Sequence, residues 1–568
     1  MRNFEIAALF HEIGDLLEIR DENVFRIRAY RRAGQSLESL AEDVLAALDA
    51  GKKIPGIGAD LAAKIREYAA TGSLAYLEEL RQGLPRGVRT VMLLPGIGPK
   101  TAKLLHERLG IDSVERLEEA CRSGKILEVP GIRQKTCDNI LRGIDSWRLG
   151  QARMPLAKAL ALAEGLVRAL GPEPAVRRIE VAGSLRRRVE TVGDIDILVT
   201  SDRPAAVLDR FVALPQVAAV LARGDTKSSI RHRENLQVDL RVVEPEAFGA
   251  ALQYFTGSKN HNVKLRELAV RKKLKISEYG VFDDRGRRVA GRTEEEVYAA
   301  VGLPWIPPEL REDSGEIEAA LAGALPPLLE VGHIRGDLHA HTDWSDGHHP
   351  LEELVAAAEA RGYEYIIVSD HSRSATIARG LTPDQVGDQI RKIHALQPQH
   401  RIRILTGSEC DILADGSLDF PDDVLSQLDV VLAAVHSRFK QPGTEMTARI
   451  CRALENPHVR ILVHPTGRLI GSRDPYDVDL EQVFAVARRH GKAVEINSSP
   501  WRLDLKDVHA RRARDLGLEI SVDTDTHYLS ELDNIALGVA TARRAWIGPD
   551  RVVNALPLPR LLEWARAG

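Results

Sequence analysis

The first 150 residues place apolar side chains three and four positions apart, which is the spacing of an amphipathic helix. The pattern is clearest over residues 4–19 and 37–48, where charged side chains fall between the apolar ones. Residues 156–170 have the same spacing. We therefore predict a helical N-terminal region and one further helix after it.

From residue 178 onward, short runs alternate apolar and polar side chains, as β-strands do. Three such runs cover residues 177–183, 193–201 and 235–243. Residues 260–300 return to helical spacing with a short hairpin. The segment 304–330 is rich in proline and acidic residues, and it indicates a domain boundary.

Beyond this boundary, strongly apolar runs alternate with helical stretches, and many runs end in His, Asp or Glu. The runs cover residues 363–371, 401–409, 428–437, 459–465, 493–499 and 518–527. Regular alternation of this kind predicts a parallel β/α barrel. Functional side chains gather at the C-terminal ends of the strands in such a barrel, which is where these polar residues lie.

Composition narrows the class of protein. A chain of 568 residues is long enough for about three to five domains. Its four cysteines form no Cys-x-x-Cys pair, which argues against a disulfide scaffold and favours a reducing compartment. The chain has neither a signal-peptide pattern nor a run of 18 apolar residues, so we expect a cytoplasmic protein with no membrane partner. Residues 51–100 carry eight basic and four acidic residues, a local excess that suits a polyanionic partner.

One short motif occurs three times in the helical region: an apolar residue, Pro-Gly, a tight turn and a helix. It begins at Ile54, at Leu94 and, with Arg133 in place of the second glycine, at Val129. Glycines permit a turn that presents backbone N–H groups to a phosphate without reading a base. The repeats resemble helix-hairpin-helix DNA-binding motifs, so we expect their glycines to contact DNA. These glycines are Gly56, Gly58, Gly96 and Gly98.

Asp194 and Asp196 lie two positions apart in a predicted strand, so both side chains point to one face. Adjacent carboxylates repel each other unless a cation lies between them, and Mg²⁺ or Mn²⁺ suits oxygen ligands. Asp239, in a neighbouring predicted strand, is the expected third carboxylate. Gly183 and Ser184, followed by arginines, offer N–H groups, a hydroxyl and positive charge to a phosphate. Three carboxylates with two ions predict a centre that activates a 3′-hydroxyl and stabilises a pyrophosphate leaving group.

Residues 183–199, 238–241 and 254–266 closely resemble family X DNA polymerases, the nucleotidyltransferases that include DNA polymerase β. The resemblance extends from residue 1 to about residue 312 and implies a nucleotidyltransferase palm with a mixed sheet. It implies that two Mg²⁺ or Mn²⁺ ions bind the catalytic residues Asp194, Asp196 and Asp239.

The same resemblance implies a dNTP site. Its triphosphate is held by Gly183, Ser184, Arg187, Gly193 and Arg153. Its sugar pocket is lined by Tyr254, Phe255 and Gly257, while Asn262 contacts the incoming base and Arg266 the DNA template.

Lys64 follows the first hairpin turn and matches the lysine that forms a Schiff base at abasic sites in polymerase β-like proteins. That chemistry needs a neutral amine. Asp60 stands where that family has a basic residue, and its carboxylate would keep Lys64 charged. We therefore expect Lys64 to contact a DNA phosphate rather than to act as a nucleophile.

Fourteen of the 18 histidines lie after residue 330, interleaved with acidic residues. Mixed imidazole and carboxylate ligands suit Zn²⁺, Mn²⁺ or Fe²⁺. One ion takes about four to six ligands, so nine candidates imply two or three ions, and clustered ions are typical of phosphoester hydrolysis. The nine candidates are His339, His341, Asp346, His371, Glu409, His436, His464, Asp525 and His527.

Residues 331–568 resemble the PHP (polymerase and histidinol phosphatase) domain, a distorted parallel β/α barrel. All nine ligand positions of that family are filled, which implies an active hydrolase. Four arginines near the strand ends either hold phosphate or are solvated loop residues; they are Arg373, Arg379, Arg438 and Arg468.

Together these observations predict a multidomain protein of α+β and α/β class. The expected parts are a helical DNA-binding domain (1–88), a helix-hairpin-helix subdomain (89–150), the palm (151–312), a linker (313–330) and the PHP domain (331–568). We expect a monomeric, nucleoid-associated bacterial repair polymerase that binds gapped or primed DNA and dNTPs. Its PHP domain would be a 3′→5′ exonuclease, and this domain also allows abasic-site cleavage. Two alternatives remain: a purely structural, metal-stabilised barrel, or a small-phosphoester phosphatase tethered to nucleic acid.

Overall fold

A computed structural model describes residues 2–20, 22–38, 44–49, 51–54, 56–71, 73–82, 85–92, 94, 97–150 and 153–567. The chain divides into two compact units, residues 1–153 and 154–568. Among the described helices, none combines the length and the apolar character needed to cross a bilayer.

The described part of the first unit is helical, as predicted. Its helices are α1 (Arg2–Ile19), α2 (Val24–Glu38), α3 (Val44–Asp49), α4 (Ala59–Thr71), α5 (Ala75–Gln82), α6 (Arg86–Met92), α7 (Pro99–Leu109), α8 (Val114–Arg122) and α9 (Gln134–Gly150). The predicted helix over 37–48 corresponds to the end of α2 and to α3, and residues 39–43 lie outside the described part. The apolar faces of these helices form two buried clusters, one around Phe10 and one around Leu105.

The first half of the second unit is built on a mixed sheet. Its strands are β1 (Met154–Pro155), β2 (Arg178–Val181), β3 (Thr191–Val192), β4 (Asp194–Thr200), β5 (Val217–Arg223), β6 (Lys227–His232), β7 (Gln237–Val243), β8 (Lys275–Ser277), β9 (Gly280–Phe282) and β10 (Arg288–Ala290). The main sheet has the order β2-β4-β7-β6-β5, in which only the central pair β4–β7 is parallel.

Helices accompany these strands, and some of them carry residues that the sequence predicts to bind dNTP. They are α10 (Leu156–Leu170), α11 (Gly183–Arg186), α12 (Pro204–Val212), α13 (Phe248–Thr256), α14 (Lys259–Arg271), α15 (Glu294–Ala300) and α16 (Glu316–Leu321). Helix α10 matches the predicted helix over 156–170, and its residues Ala159, Ala163 and Leu166 are buried in the palm core.

The second half of the unit is a barrel of seven strands, all parallel and paired in chain order, which confirms the predicted architecture. The strands are β11 (Gly336–Asp337), β12 (Tyr365–Val368), β13 (Arg403–Asp411), β14 (Val430–Ala434), β15 (Val459–Leu462), β16 (Ala493–Asn497) and β17 (Ile520–Asp523). The helices around them are α17 (Leu351–Ala360), α18 (Pro383–Leu396), α19 (Asp422–Leu425), α20 (Gly443–Leu454), α21 (Leu480–Arg489), α22 (Asp507–Asp515), α23 (Ile535–Arg544) and α24 (Leu558–Arg566).

Backbone and side-chain hydrogen bonds close the barrel between its first and last strands. A single bridge joins Ala340 to Thr526. The buried side chain of Asn554 donates to the carbonyl oxygens of Gly336 (3.0 Å) and Val522 (2.6 Å). Asn554 therefore supplies hydrogen bonds that a directly paired strand would otherwise provide.

The barrel and the palm share apolar contacts. Leu503 and Leu537 of the barrel belong to the same buried cluster as Ile195 and Val238 of the palm strands. The segment 313–330, expected to be a linker, contains helix α16 with buried Ile317 and Ala320.

Candidate active sites

The palm carboxylates meet on the central parallel strand pair. The register of β4 and β7 places Asp196 opposite Asp239, and Asp194 lies two residues earlier on β4. Gly183, at the start of α11, has φ +68°, and a Cβ atom there would lie 2.8 Å from Oδ2 of Asp196. The structure therefore brings together the three predicted aspartates and the start of the predicted phosphate-binding loop.

The carboxylates are crowded enough to change their protonation. Burial, followed by the charges of Asp194 and Asp239, raises the pKa of Asp196 to about 7. Although burial alone would raise the pKa of Asp239, hydrogen bonds from Lys227, Ser229 and Gln237 lower it. The Lys227 ammonium lies 2.6 Å from Oδ2 of Asp239. Closely spaced oxygen donors with unfavourable mutual repulsion fit hard divalent cations.

Arg187, directly after α11, points toward the end of α13. Its Nη1 donates to the carbonyl oxygen of Thr256, and its Nε donates to Oε1 of Glu312 at 2.9 Å. A Cβ atom on Gly257 would lie 3.2 Å from Nη1 of Arg187, so these two predicted dNTP residues are neighbours. Ser184 lies within α11 and Gly193 lies between β3 and β4.

The remaining predicted nucleotide residues form a connected group at the α13–α14 junction. The rings of Tyr254 and Phe255 meet edge to face, with centroids 5.2 Å apart. The Asn262 amide donates to the Tyr254 carbonyl oxygen at 2.7 Å, and Arg266 donates to the Asn262 carbonyl oxygen at 3.1 Å. Arg153 is exposed and is the last residue of the first unit.

All nine predicted barrel ligands fall into overlapping groups whose donor atoms lie within 4.8 Å of one another. The groups among the described residues are His341–Asp346–His371–His527, His339–His341–Glu409, His339–His464–Asp525 and His371–Glu409–His436. The donors come from the ends of strands or from the loops that follow them, as expected for the functional end of a barrel.

Glu409 lies at the centre of this cluster. Its oxygens lie 3.0 Å from Nδ1 of His371, 3.1 Å from Nε2 of His436 and 2.6 Å from Nε2 of His464. Several buried nitrogen and oxygen atoms that could bind a metal make no hydrogen bond here, among them Nε2 of His339, Nε2 of His341 and Oε2 of Glu409. Buried polar atoms are normally paired, so this set of inward-facing nitrogens and oxygens fits metal ions.

The charges of the cluster support the same interpretation. Burial alone would lower the pKa of His371, but Glu409 and Asp346 raise it well above its usual value. Conversely, burial would raise the pKa of Glu409, while His371, His436 and His339 lower it well below its usual value. The buried carboxylates therefore require positive charge, which metal ions supply when they bind.

Two acidic residues that the sequence analysis missed orient these ligands. Oε1 of Glu495 lies 2.7 Å from Nδ1 of His339, and Oδ1 of Asp411 lies 2.5 Å from Nδ1 of His436. Such contacts leave the opposite ring nitrogen directed toward the cluster. Glu495 lies in the fully buried strand β16, and an acid between the apolar residues Val494 and Ile496 is the signal that could have revealed it.

The four arginines near the strand ends differ in their surroundings. Arg373 pairs with Asp419 at 3.2 Å, and Arg468 pairs with Glu190 of the palm at 2.8 Å. Arg379 and Arg438 both have positive φ values.

The three hairpin repeats of the first unit share one local geometry. In each, a backbone N–H donates over 3.1 Å to the carbonyl oxygen three residues earlier: Ile57 to Ile54, Ile97 to Leu94 and Ile132 to Val129. A Cβ atom on Gly58 or Gly98 would meet nothing within 4 Å, so space is available beside each helix start. Gly56 has φ +76°, and Gly96 lies outside the described residues.

Lys64 extends from α4 and forms an ion pair with Asp60 at 2.6 Å. Its ammonium also lies 5.5 Å from the ring centroid of Tyr76.

Comparisons with known proteins agree with this organisation. The "Helix-hairpin-helix domain" family matches residues 1–74, and the "SAM-like Helix-hairpin-helix tandem" family matches 88–145. The "DNA polymerase beta thumb" family matches 251–312, and the "PHP domain" family matches 337–499.

Full-length similarity is more specific. The chain is 38% identical over 562 residues to the DNA polymerase/3′-5′ exonuclease PolX of Bacillus subtilis (strain 168), which covers 98% of each protein. It is also 28% identical over 231 residues to the protein named "Probable phosphatase" of Thermoanaerobacter sp. (strain X514), covering 38% of this chain and 89% of that protein. The similarity to the Bacillus protein spans both compact units, and it confirms the resemblance to family X polymerases with a C-terminal PHP domain. The chain therefore belongs to the PolX family of DNA polymerase/3′-5′ exonucleases.

Proposed function

We propose that this protein is a DNA-directed DNA polymerase that fills short gaps during DNA repair, and that its PHP barrel removes nucleotides in the 3′→5′ direction. The observation that carries the proposal is the convergence of Asp194, Asp196 and Asp239 on one parallel strand pair, next to the start of the predicted phosphate-binding loop. The Bacillus relative, which aligns over almost its whole length, bears both activities in its name.

In the palm, the three aspartates would hold two Mg²⁺ or Mn²⁺ ions. When bound, such ions promote attack by the 3′-hydroxyl and stabilise the pyrophosphate that leaves. Ser184, at the start of α11, and the Arg187 guanidinium bind the triphosphate, with Gly183, Gly193 and Arg153 completing the predicted set. Tyr254, Phe255 and Gly257 line the sugar pocket. Asn262 contacts the incoming base, and Arg266 contacts the template.

In the barrel, the nine clustered residues would hold two or three Zn²⁺ or Mn²⁺ ions. Such ions activate water and polarise a phosphodiester. Glu495 and Asp411 fix the orientation of His339 and His436. Glu409 and Asp525 are buried, which strengthens the attraction of their carboxylates for a cation.

In the first unit, the repeated turns would bind DNA phosphates through backbone N–H groups at Gly56, Gly58 and Gly98, an arrangement that is independent of base sequence. The ion pair between Lys64 and Asp60 favours a phosphate contact for Lys64 over a nucleophilic role. We further propose that the protein works as a monomer on chromosomal DNA in the cytoplasm.

A primer assay on gapped DNA tests both activities, because extension and degradation are read from the same gel with and without dNTPs. We expect Asp196→Asn to reduce extension on the order of 1000-fold or more while degradation continues, because the variant loses a metal-binding carboxylate only in the palm. His339→Asn should have the opposite effect. Asp202→Asn is the matched control, since Asp202 pairs only at the surface with Arg177.

Loss of both activities in Asp196→Asn would contradict two separate centres. Undiminished degradation in His339→Asn would instead favour a purely structural barrel.

The similarity to proteins named "Probable phosphatase" favours a second candidate activity, hydrolysis of small phosphomonoesters by the same barrel cluster. Comparing the turnover of p-nitrophenyl phosphate with that of 3′ ends separates the two. Turnover of the small ester far above that of DNA would replace exonuclease activity as the barrel's main role.

A further inference from the structure

Two arginines of the PHP barrel form hydrogen bonds and ion pairs with the palm loop that follows α11. The loop runs from Arg187 to Glu190, directly before β3, and Arg187 is the residue that we expect to hold the dNTP triphosphate. We propose that the barrel positions this loop through Arg544 and Arg468, so that dNTP binding by the palm depends on side chains of the PHP domain. The inference rests on the proposed polymerase function and adds to it.

Arg544, the last residue of α23, makes the first contact. Its Nη1 donates to the backbone carbonyl oxygen of Arg187 at 2.8 Å and to Oε1 of Glu312 at 2.9 Å. Its other edge pairs with Asp507 of α22, with Nε at 2.8 Å and Nη2 at 2.7 Å from Oδ2. The guanidinium is therefore fixed by the barrel on one edge and engages the palm with the other.

Glu312 links Arg544 to the side chain of Arg187. The same carboxylate oxygen that accepts from Arg544 also accepts from Nε of Arg187 at 2.9 Å. The other end of the Arg187 guanidinium donates to the carbonyl oxygen of Thr256. Arg544 and Arg187 therefore both pair with the Glu312 carboxylate, and Arg544 also donates a hydrogen bond to the Arg187 backbone.

A second contact secures the far end of the loop. Arg468 of the barrel lies 2.8 Å from Oε2 of Glu190, and Lys506 lies 3.3 Å from Oε1. Arg468 follows the candidate metal ligand His464 by four residues, so this contact reaches from the rim of the barrel cluster. The Glu190 carbonyl oxygen accepts from the backbone of Leu156, which anchors the loop to the start of α10.

The arginines of these pairs are largely shielded from water, while the side chains of Glu312 and Glu190 are 29% and 25% exposed. The side chains of Arg544 and Arg468 are each 10% exposed. A partly buried carbonyl or carboxylate that loses a charged donor loses stabilisation, and the loop would then shift to regain a partner. Loop displacement moves Arg187 relative to a bound triphosphate, whereas the palm aspartates lie on a separate strand pair. Binding of dNTP should therefore weaken more than the chemical step.

The test is the steady-state kinetics of primer extension by full-length Arg544→Met. We expect KM for dNTP to rise about tenfold, kcat to stay within about twofold and 3′→5′ degradation to be unchanged. Arg512→Met is the matched control, because Arg512 lies on the outer surface of α22 and pairs with exposed Glu481. An unchanged KM in Arg544→Met would overturn the inference, as would equal losses of extension and degradation.

The background variant Arg187→Ala separates positioning from general destabilisation. If Arg544 acts through Arg187, adding Arg544→Met to Arg187→Ala should raise KM no further; additive effects would overturn the inference. A normal KM in Arg187→Ala alone would contradict the proposed role of Arg187 in the polymerase instead. If Arg544→Met does not fold, the dNTP KM of Arg468→Met tests the proposal instead: we expect that KM to rise, and a normal dNTP KM there would also overturn the proposal.

Discussion

Gly183 connects the phosphate-binding loop to the aspartates because it lacks a side chain. Its φ of +68° lies in the left-handed region, and an added Cβ would lie 2.8 Å from Oδ2 of Asp196. Real Cβ contacts are longer than this, so either the loop or the aspartate would have to move. A glycine at this position is thus needed for backbone conformation and for space at once.

We expect Gly183→Ala to reduce kcat/KM for dNTP incorporation about 100-fold, because a displacement of about 1 Å at a reacting group costs that much. The matched control is Gly286→Ala in the β9–β10 turn, where φ is +75° but a Cβ meets nothing within 4 Å. Both variants pay a similar backbone cost of about 1–2 kcal/mol. Only Gly183→Ala should lose activity in primer extension, and equal activities would show that the contact with Asp196 is unimportant.

The residues that could be predicted from sequence are those whose chemistry repeats within a few positions. Asp194 and Asp196 lie two positions apart on strand β4, and His339 and His341 lie two positions apart on either side of the bridge at Ala340, so their spacing in the sequence groups each pair. Glu495 and Glu312 were not predicted from the sequence because their partners lie far away in the chain. For example, 156 positions separate Glu495 from His339. Contacts of that kind depend on tertiary packing, which a single sequence does not display.

Some secondary-structure elements could likewise be predicted from the sequence, and others could not. The apolar barrel strands were predictable because parallel strands are buried on both faces and read as continuous apolar runs. Strands β5 and β6 were missed: β5 is exposed over most of its length, and β6 is largely polar, so neither has an alternating pattern. Helix α2 lies in the region predicted to be helical, but most of it was not singled out, because several arginines interrupt its apolar face.

An ion cluster of Glu294, Arg186 and Arg311 joins helices α15 and α11, which are far apart in the sequence. Glu294, the first residue of α15, accepts from Arg186 at the end of α11 (2.7 Å) and from buried Arg311 (2.6 Å). Burial alone would raise the pKa of Glu294, but hydrogen bonds and charges of the two arginines lower it to about 2. The cluster holds α11, and with it the start of the phosphate-binding loop, against α15 and Arg311, which lie in the region 251–312 matched by the thumb family.

We expect Glu294→Gln to destabilise the second unit in a pH-dependent way. Lowering the pKa from 4.5 to about 2 corresponds to about 3 kcal/mol of stability. Because the folded-state pKa is depressed, this contribution is complete above pH 4.5 and is lost as the pH falls toward 2. The difference in unfolding free energy between the wild type and Glu294→Gln in urea should therefore narrow from pH 6 to pH 3. The exposed neighbour Glu295 supplies the control Glu295→Gln, and a gap that stays constant with pH would contradict the assignment.

The second unit is one structural body although its sequence suggests two modules joined by a linker. Leu503 and Leu537 of the barrel pack in the palm core, and Arg544 and Arg468 pair with palm residues. From this shared apolar burial we expect the two parts to unfold cooperatively. The clustering of proline and acidic residues in 304–330 predicts a boundary from the sequence, whereas the contacts between palm and barrel are visible only in three dimensions.

This shared core predicts that metal removal from the barrel weakens the palm as well. An ion that binds only the folded state stabilises it by about 3 kcal/mol at 100 times its Kd, or about 3 °C for a unit of this size. The measurement is hydrogen exchange on Asp239→Asn, which removes one palm carboxylate so that added Mn²⁺ acts mainly through the barrel. Chelation should reduce amide protection of palm strand β4 together with that of barrel strand β13, because both belong to one cooperative unit. The same protein carrying His339→Asn should show little response to Mn²⁺. If β4 kept its protection while β13 lost it, palm and barrel would be separate folding units, and the contacts of Arg544 and Arg468 would join two independently stable domains.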